Sequence, residues 1–143
     1  IEQSTIVNIT SLATLYPLPY MPLYNACKSG LSSFTQSMML EYKTLKWIDF
    51  RLGDIRTSFN KSAPKQAEES QSDSMKRAWK QIEKQLNESP FPQVAAKQIL
   101  RSLKKGRVGT IYGGGFFQAR LAPFFESLLT NLMVRKILNF RYK

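Results

Sequence analysis

The sequence predicts an α/β domain built on a parallel sheet. Short runs rich in β-branched and aromatic residues stand at residues 5–10, 47–52 and 108–112, each with the length and composition of a strand. The stretches between them place apolar residues three and four apart, the period of a helix face. Proline and glycine mark the junctions. Alternating strands and helices assemble as a parallel sheet, because a parallel neighbour is reached only through a crossover long enough to hold a helix.

Residues 5–10 (TIVNIT) are the first strand, and residues 11–22 a loop with Pro17, Pro19 and Pro22. From about residue 23 to residue 45 there is no proline, and Leu31, Phe34, Met38 and Tyr42 follow Cys27 at helical spacing. That predicts one long helix. Gly30 inside it costs about 1 kcal/mol against alanine, so a close packing contact is expected there. WIDFRL at 47–52 is the second strand, and Gly53 opens a loop. Residues 58–74 are rich in Ser, Gln, Lys and Glu and read as a flexible loop. Asp73 is placed to cap a helix over about 74–86. Pro92 stands at the start of a further helix carrying Val94, Ile99 and Leu103, with Gly106 just past its end. VGTIY at 108–112 is the third strand, residues 113–115 a turn, and residues 116–143 one or two helices divided or bent near Pro123.

Three strands make a thin sheet for this topology, since parallel strands want neighbours on both sides. The 143 residues therefore read as the C-terminal part of one larger domain, with its other strands expected before Ile1. Within it, residues 58–89 are the expected substrate region and residues 116–143 a basic, apolar tail. No charged start or cleavage site precedes the first strand, so no signal peptide is expected. No run reaches the 18 or so apolar residues of a spanning helix. The best, residues 121–134, is broken by Pro123, Glu126, Thr130 and Asn131.

The chain has no histidine and one cysteine, Cys27. This removes Ser-His-Asp and Cys-His catalysis, excludes an internal disulfide, and leaves no metal site to expect. Proton chemistry must then run on Tyr, Lys, Asp or Glu. Cys27 is expected as a small packed residue rather than a nucleophile. Sequons at Asn8, Asn60 and Asn87 are read as chance.

The net charge is +11, and residues 97–143 hold ten Lys/Arg against one Asp/Glu. The rest of the chain is close to neutral. A basic third of this kind meets phosphate, in nucleic acid, lipid headgroups or a ligand.

Three residues carry chemistry: Ser11 after the first strand, and Tyr24 with Lys28 at the start of the long helix. Four residues apart, Tyr24 and Lys28 share a helix face. An ammonium beside a phenol favours the phenolate, and a serine hydroxyl can hydrogen-bond a carbonyl oxygen. Together they form a histidine-free acid–base device for carbonyl reduction or alcohol oxidation. Six tyrosines and thirteen lysines make Y-x-x-x-K expected by chance about half the time. A second copy exists at Tyr42 and Lys46, with Ser29 thirteen residues upstream, as Ser11 is upstream of Tyr24. Geometry separates the two. Ser29 and Tyr42 sit on one predicted helix, roughly 20 Å apart, so Tyr42 and Lys46 read as a solvated helix end. Ser11 ends a strand, at the crevice where open parallel sheets bind ligands.

The segment from Ile6 to Tyr42 resembles the catalytic segment of the short-chain dehydrogenase/reductase superfamily. Its motif Y-x-[AS]-[SC]-K stands here as Tyr24-Asn25-Ala26-Cys27-Lys28. The resemblance continues through Gly53, Ile55 and Thr57 of the segment P-G-x-[IV]-x-T, with Leu52 in place of proline. It implies the C-terminal part of a Rossmann-like doubly wound sheet. It implies Tyr24 as the general acid, Lys28 as the residue that lowers the Tyr24 pKa and binds the nicotinamide ribose, and Ser11 as the group that polarises the carbonyl. Gly53, Ile55 and Thr57 would then serve the cofactor, NADP or NAD with NADP favoured. The glycine-rich loop, the N-N-A-G segment and the helix asparagine of the family are absent from this sequence. The triple glycine at 113–115 lacks the G-x-G-x-x-G pattern.

The expected function is NAD(P)H-dependent reduction of a carbonyl, or oxidation of a secondary alcohol, on an apolar or lipid-like small molecule. The alternative is a catalytically silent, membrane-associated or scaffolding member of the same fold. The tail interleaves basic residues with Phe and Leu, which suits peripheral membrane contact through 116–143, or plain packing with solvated charges. Nucleic acid is not expected, because no reading motif is present. A homodimer or homotetramer through the long helix, and a cytoplasmic place with the option of a membrane surface, complete the expectations.

Overall fold

The computed structural model describes residues 4–58, 71–126 and 128–142. Its elements are β1 (Thr5–Ser11), a 3-10 turn (Leu12–Thr14), α1 (Pro22–Glu41) and β2 (Lys46–Leu52). Then come α2 (Asp73–Glu88), α3 (Pro92–Lys104) and β3 (Gly109–Gly113). A π-helical turn (Phe117–Leu121), α4 (Ala122–Glu126) and α5 (Asn131–Arg141) close the chain. The three strands are all parallel, in the order β1-β2-β3. The fold is α/β with a partial Rossmann-like sheet.

The register brings Ser11, Leu52 and Gly113 side by side at the C-terminal ends of the strands. Trp47, Ile48, Asp49 and Phe50 of central β2 are buried in succession, the pattern of a parallel strand covered on both faces. Successive side chains face opposite sides. Asp49 turns to α1, where Ser32 and Gln36 bond it. Phe50 turns to the other side, where the ring packs against Gly113. Gln98 of α3 clamps the next residue, Gly114, accepting from its N–H at 2.9 Å and donating to its carbonyl at 3.0 Å. Ala78, Trp79 and Ile82 of α2 and Ala95 of α3 complete the buried apolar set.

The α1 interface departs from the expectation. The apolar residues Phe34 and Tyr42 and the small residue Cys27 are exposed, and the side chains buried against the sheet are Ser32 and Thr35. The cause is Asp49, a fully buried carboxylate. A buried charge requires donors, and α1 supplies them with its polar face. Thr10 and Ser32 donate to Asp49 at 2.5 and 2.7 Å, Gln36 at 3.3 Å, and Arg51 pairs with it at 3.1 Å. Cys27 is therefore solvent-facing rather than packed, and Gly30 has open space where a close contact was expected.

Helix α1 ends at Glu41, not near residue 45, and Lys46 begins β2. Tyr42 and Lys46 thus share no helix, and their spacing has no geometric meaning. Ser72, not Asp73, caps α2, its hydroxyl accepting from Met75 N at 3.3 Å. Gly113 belongs to β3 rather than to the turn, and Gly114 takes the left-handed φ of +111° there. The tail is three helical pieces, and Pro123 lies inside α4. Asn8 spends its amide on Thr35 at 2.8 Å. Asn60 and most of the loop expected at 58–74 lie outside the described residues.

Candidate active site

Ser11 ends β1 with its side chain turned inward, 7% exposed. Its hydroxyl oxygen accepts from Ala13 N at 3.1 Å, and its carbonyl from Thr14 Oγ1 at 2.8 Å. Serine thus caps the 3-10 turn that carries the chain off the strand. The hydroxyl accepts in that bond, so its own hydrogen can be donated elsewhere.

The loop from the 3-10 turn to α1 is closed by Asn25. Its amide donates to Leu18 O at 2.8 Å and accepts from Leu18 N at 3.2 Å. Pro22 opens the helix at a position where a missing N–H costs nothing. Tyr24 and Lys28 then fall on the first turns, both half-buried. Lys28 Nζ donates to Ile9 O at 2.8 Å and stands 6.0 Å from the centre of the Tyr24 ring. The ammonium therefore ties the Tyr–Lys pair to β1 two residues before Ser11.

The segment after β2 is held just as firmly. Leu52, where a proline was the family expectation, pairs with both neighbouring strands and extends β2. Gly53 N donates to Gly113 O at 2.9 Å. Gln118 packs over Gly53, accepting from Asp54 N at 3.0 Å and donating to Asp54 Oδ2 at 2.6 Å. A Cβ on Gly53 would stand 2.5 Å from Gln118 Oε1, so glycine is what lets the clamp close. Ile55 is buried and Thr57 exposed. Arg56 between them donates from its backbone to Pro90 O at 2.9 Å and stacks 4.7 Å from the Phe91 ring.

A cavity of about 540 Å³ opens at the strand ends. Ser11, Gly53 and Asp54 form its edge on the sheet, and Phe125, Leu129 and Leu138 are among the residues that form its apolar wall. Gln85, Gln118, Arg141 and Tyr142 supply further polar groups. Tyr24 and Lys28 are not among the lining residues; Lys28 is bonded to Ile9 O, two residues before Ser11. Burial pushes the Tyr142 phenol above its ordinary 10.0, and Asp54 adds to this, while Arg141 and the Gln85 side chain pull the other way. Of these, Gln85, Gln118 and Tyr142 carry no motif and were not legible as site residues. No cluster of three or more metal-ligating side chains exists among the described residues.

Residues 2–68 match the family model of the short chain dehydrogenases. The match covers β1, α1 and β2 together with Ser11, Tyr24, Lys28 and the Gly53–Thr57 segment. Over these residues the chain is similar to the short-chain dehydrogenase/reductase superfamily. This is a family of oxidoreductases whose members in general bind NAD or NADP. No curated protein and no solved structure matches the chain.

Proposed function

We propose that the chain is a short-chain dehydrogenase that reduces a carbonyl, or oxidises the matching secondary alcohol, on an apolar substrate whose body lies in the cavity at the strand ends and whose carbonyl reaches past Ser11 to Tyr24. The observation that carries this is the Lys28 ammonium, bonded to Ile9 O at 2.8 Å and 6.0 Å from the Tyr24 ring. That bond holds the Tyr24–Lys28 pair against β1 two residues before Ser11, which supports a common site for the three.

Ser11 donates its free hydrogen to the carbonyl oxygen and holds it. Tyr24 delivers the proton to that oxygen in reduction and takes it back in oxidation. Lys28 stabilises the charge left on the phenol. The residues present fit the nicotinamide end of a dinucleotide, because Lys28 has three hydrogens and Ile9 O takes one. Thr57 and the backbone of Ile55 would border it on the side of β2. A bound nicotinamide would supply or accept the hydride. The 143 residues hold no glycine-rich pyrophosphate loop, so we place that site in a segment preceding Ile1. Among the described residues one edge of β1 has no partner strand, which supports this. The choice between NADP and NAD belongs to the same segment.

The apolar wall supports an apolar or lipid-like substrate. The tail supports peripheral contact with an anionic membrane surface: Leu128, Leu132 and Phe140 are exposed beside the exposed Arg135 and Lys136. No helix among the described residues is long and apolar enough to cross a membrane.

The test is the absorbance of reduced nicotinamide, followed in the full-length protein with a panel of aliphatic and cyclic ketones. Consumption that needs both cofactor and ketone supports the reading. A properly folded protein that consumes neither NADH nor NADPH with any ketone in the panel points to the silent, scaffolding alternative.

A further inference from the structure

Gln85 lines the cavity, and its Nε2 is buried and makes no hydrogen bond of full geometry. The Gln85 side chain acts on the Tyr142 phenol, and an amide nitrogen carries two hydrogens, so at least one is left for a ligand. The other polar groups of the lining differ. The Asp54 carboxylate is taken by Gln118 at 2.6 Å, and Ser11 Oγ already accepts from Ala13 N. A buried donor without an acceptor is costly to keep, and a leucine of similar size would remove the cost. Helix α2 has apolar residues on this face, with Ala78 and Ile82 buried just before Gln85. Apolar packing does not explain an amide here, and the hydrogen that does not face Tyr142 is open to what enters the cavity.

The charge of the lining narrows the class. It contains one acid, Asp54, and one base, Arg141, so neither sign of ligand is favoured overall. The geometry points to a neutral, apolar substrate with two oxygens: the carbonyl that meets the Ser11 hydroxyl, and a second carbonyl, ether or hydroxyl oxygen that accepts from Gln85 Nε2. This assignment rests on the reading of the cavity as the substrate site, and it makes Gln85 a specificity residue. Binding measurements test it without any need for turnover. A ligand that binds through Gln85 but is never reduced would sink the reductase reading and leave this one standing.

The experiment titrates the protein calorimetrically with decan-2-one and with decane-based diketones and hydroxyketones whose second oxygen stands at successive positions. At least one spacing should bind about tenfold tighter than the monoketone, the worth of one buried hydrogen bond made or left unmade. In Gln85→Leu that advantage should vanish while decan-2-one binds as before. No spacing with an advantage, or an advantage that survives in Gln85→Leu, would overturn the proposal. So would decanoate binding more tightly than every neutral ligand and losing that in Arg141→Gln, since the cavity would then select an anion. Tyr142→Phe keeps the advantage if Gln85 is the donor. Its loss in that variant would move the oxygen to Tyr142 and refute the role of Gln85.

Discussion

Ser32 donates its hydroxyl to Asp49 Oδ2 at 2.7 Å, joining α1 to the centre of the sheet through a carboxylate with no solvent exposure. On the helix, Ser32 follows Tyr24 and Lys28 at four-residue intervals, so all three share one face. The bond therefore sets the rotation of the helix that presents the proposed catalytic pair. Asp49→Ala would leave the donors of Thr10, Ser32, Gln36 and Arg51 facing a void. The expected loss is about 3–5 kcal/mol of unfolding free energy, read from urea denaturation. Ser32→Ala, with the carboxylate still bonded by the others, should lose about 1–3 kcal/mol. Equal effects of the two would refute the central place given to Asp49.

Gly113 is the second point at which β2 constrains the fold. A Cβ there would stand 2.3 Å from Cζ of Phe50, a ring with no exposure. The ring has nowhere to swing, so Gly113→Ala should destabilise by about 1–3 kcal/mol. Combining it with Phe50→Leu should recover part of that loss, because the smaller side chain vacates the contact. Strictly additive losses in the double variant would show that Phe50 is not the obstacle.

The strands and helices were legible in the sequence because they rest on local pattern. β-branched runs, a proline-free stretch, Pro92 at a helix start and Gly106 beyond its end each bear on one element. Candidate site residues could be named from the sequence where a motif exists, at Ser11, Tyr24 and Lys28. What was not legible depends on partners distant in sequence. The apolar spacing of Leu31, Phe34 and Met38 suggested an apolar contact face, and the buried Asp49 brought the polar face of the helix inward instead. Gln118 bonds Asp54 across sixty-four residues, and no local pattern encodes that. Gln85 and Tyr142 line the cavity from two separate helical segments for the same reason.

Tyr142 gives the protein a dependence on alkaline pH. Burial raises its phenol above 10.0 in the folded state, so the fold prefers the protonated form. That contribution is complete below pH 10 and is lost as pH rises from 10 through the folded-state value. Unfolding free energy should therefore fall above pH 10 more steeply in the native protein than in Tyr142→Phe. Parallel curves for the two would refute it.

Tyr24→Phe removes the proposed acid and leaves the ring, so turnover of the full-length protein should fall about 10²- to 10⁴-fold with folding intact. Lys28→Met should lower turnover as well and should also release β1 at Ile9 O, costing about 1 kcal/mol of stability. A Tyr24→Phe protein with undiminished turnover would sink the mechanism. The pair Tyr42→Phe and Lys46→Met serves as control, since Tyr42 lies beyond the helix end and Lys46 on β2, and turnover should be unchanged.

The tail divides its apolar residues between two duties. Leu129, Val134 and Leu138 line the cavity, while Leu128, Leu132 and Phe140 face outward at 62, 63 and 87% exposure. Packing accounts for the first group and leaves the second without a partner among the described residues. Exposed Arg135 and Lys136 adjoin them, which is the composition of an interfacial helix. Each basic residue near an anionic surface is worth about 1 kcal/mol. Arg135→Gln with Lys136→Gln should then weaken sedimentation with phosphatidylserine vesicles roughly thirtyfold, by about 2 kcal/mol. Phosphatidylcholine vesicles should bind weakly in either case, and about 1 M salt should erase the difference, since the attraction is screened within a Debye length. Both side chains are exposed, so stability should change by less than about 0.5 kcal/mol. A protein equally indifferent to both lipids at low salt would rule out membrane contact and leave these apolar residues to a protein partner.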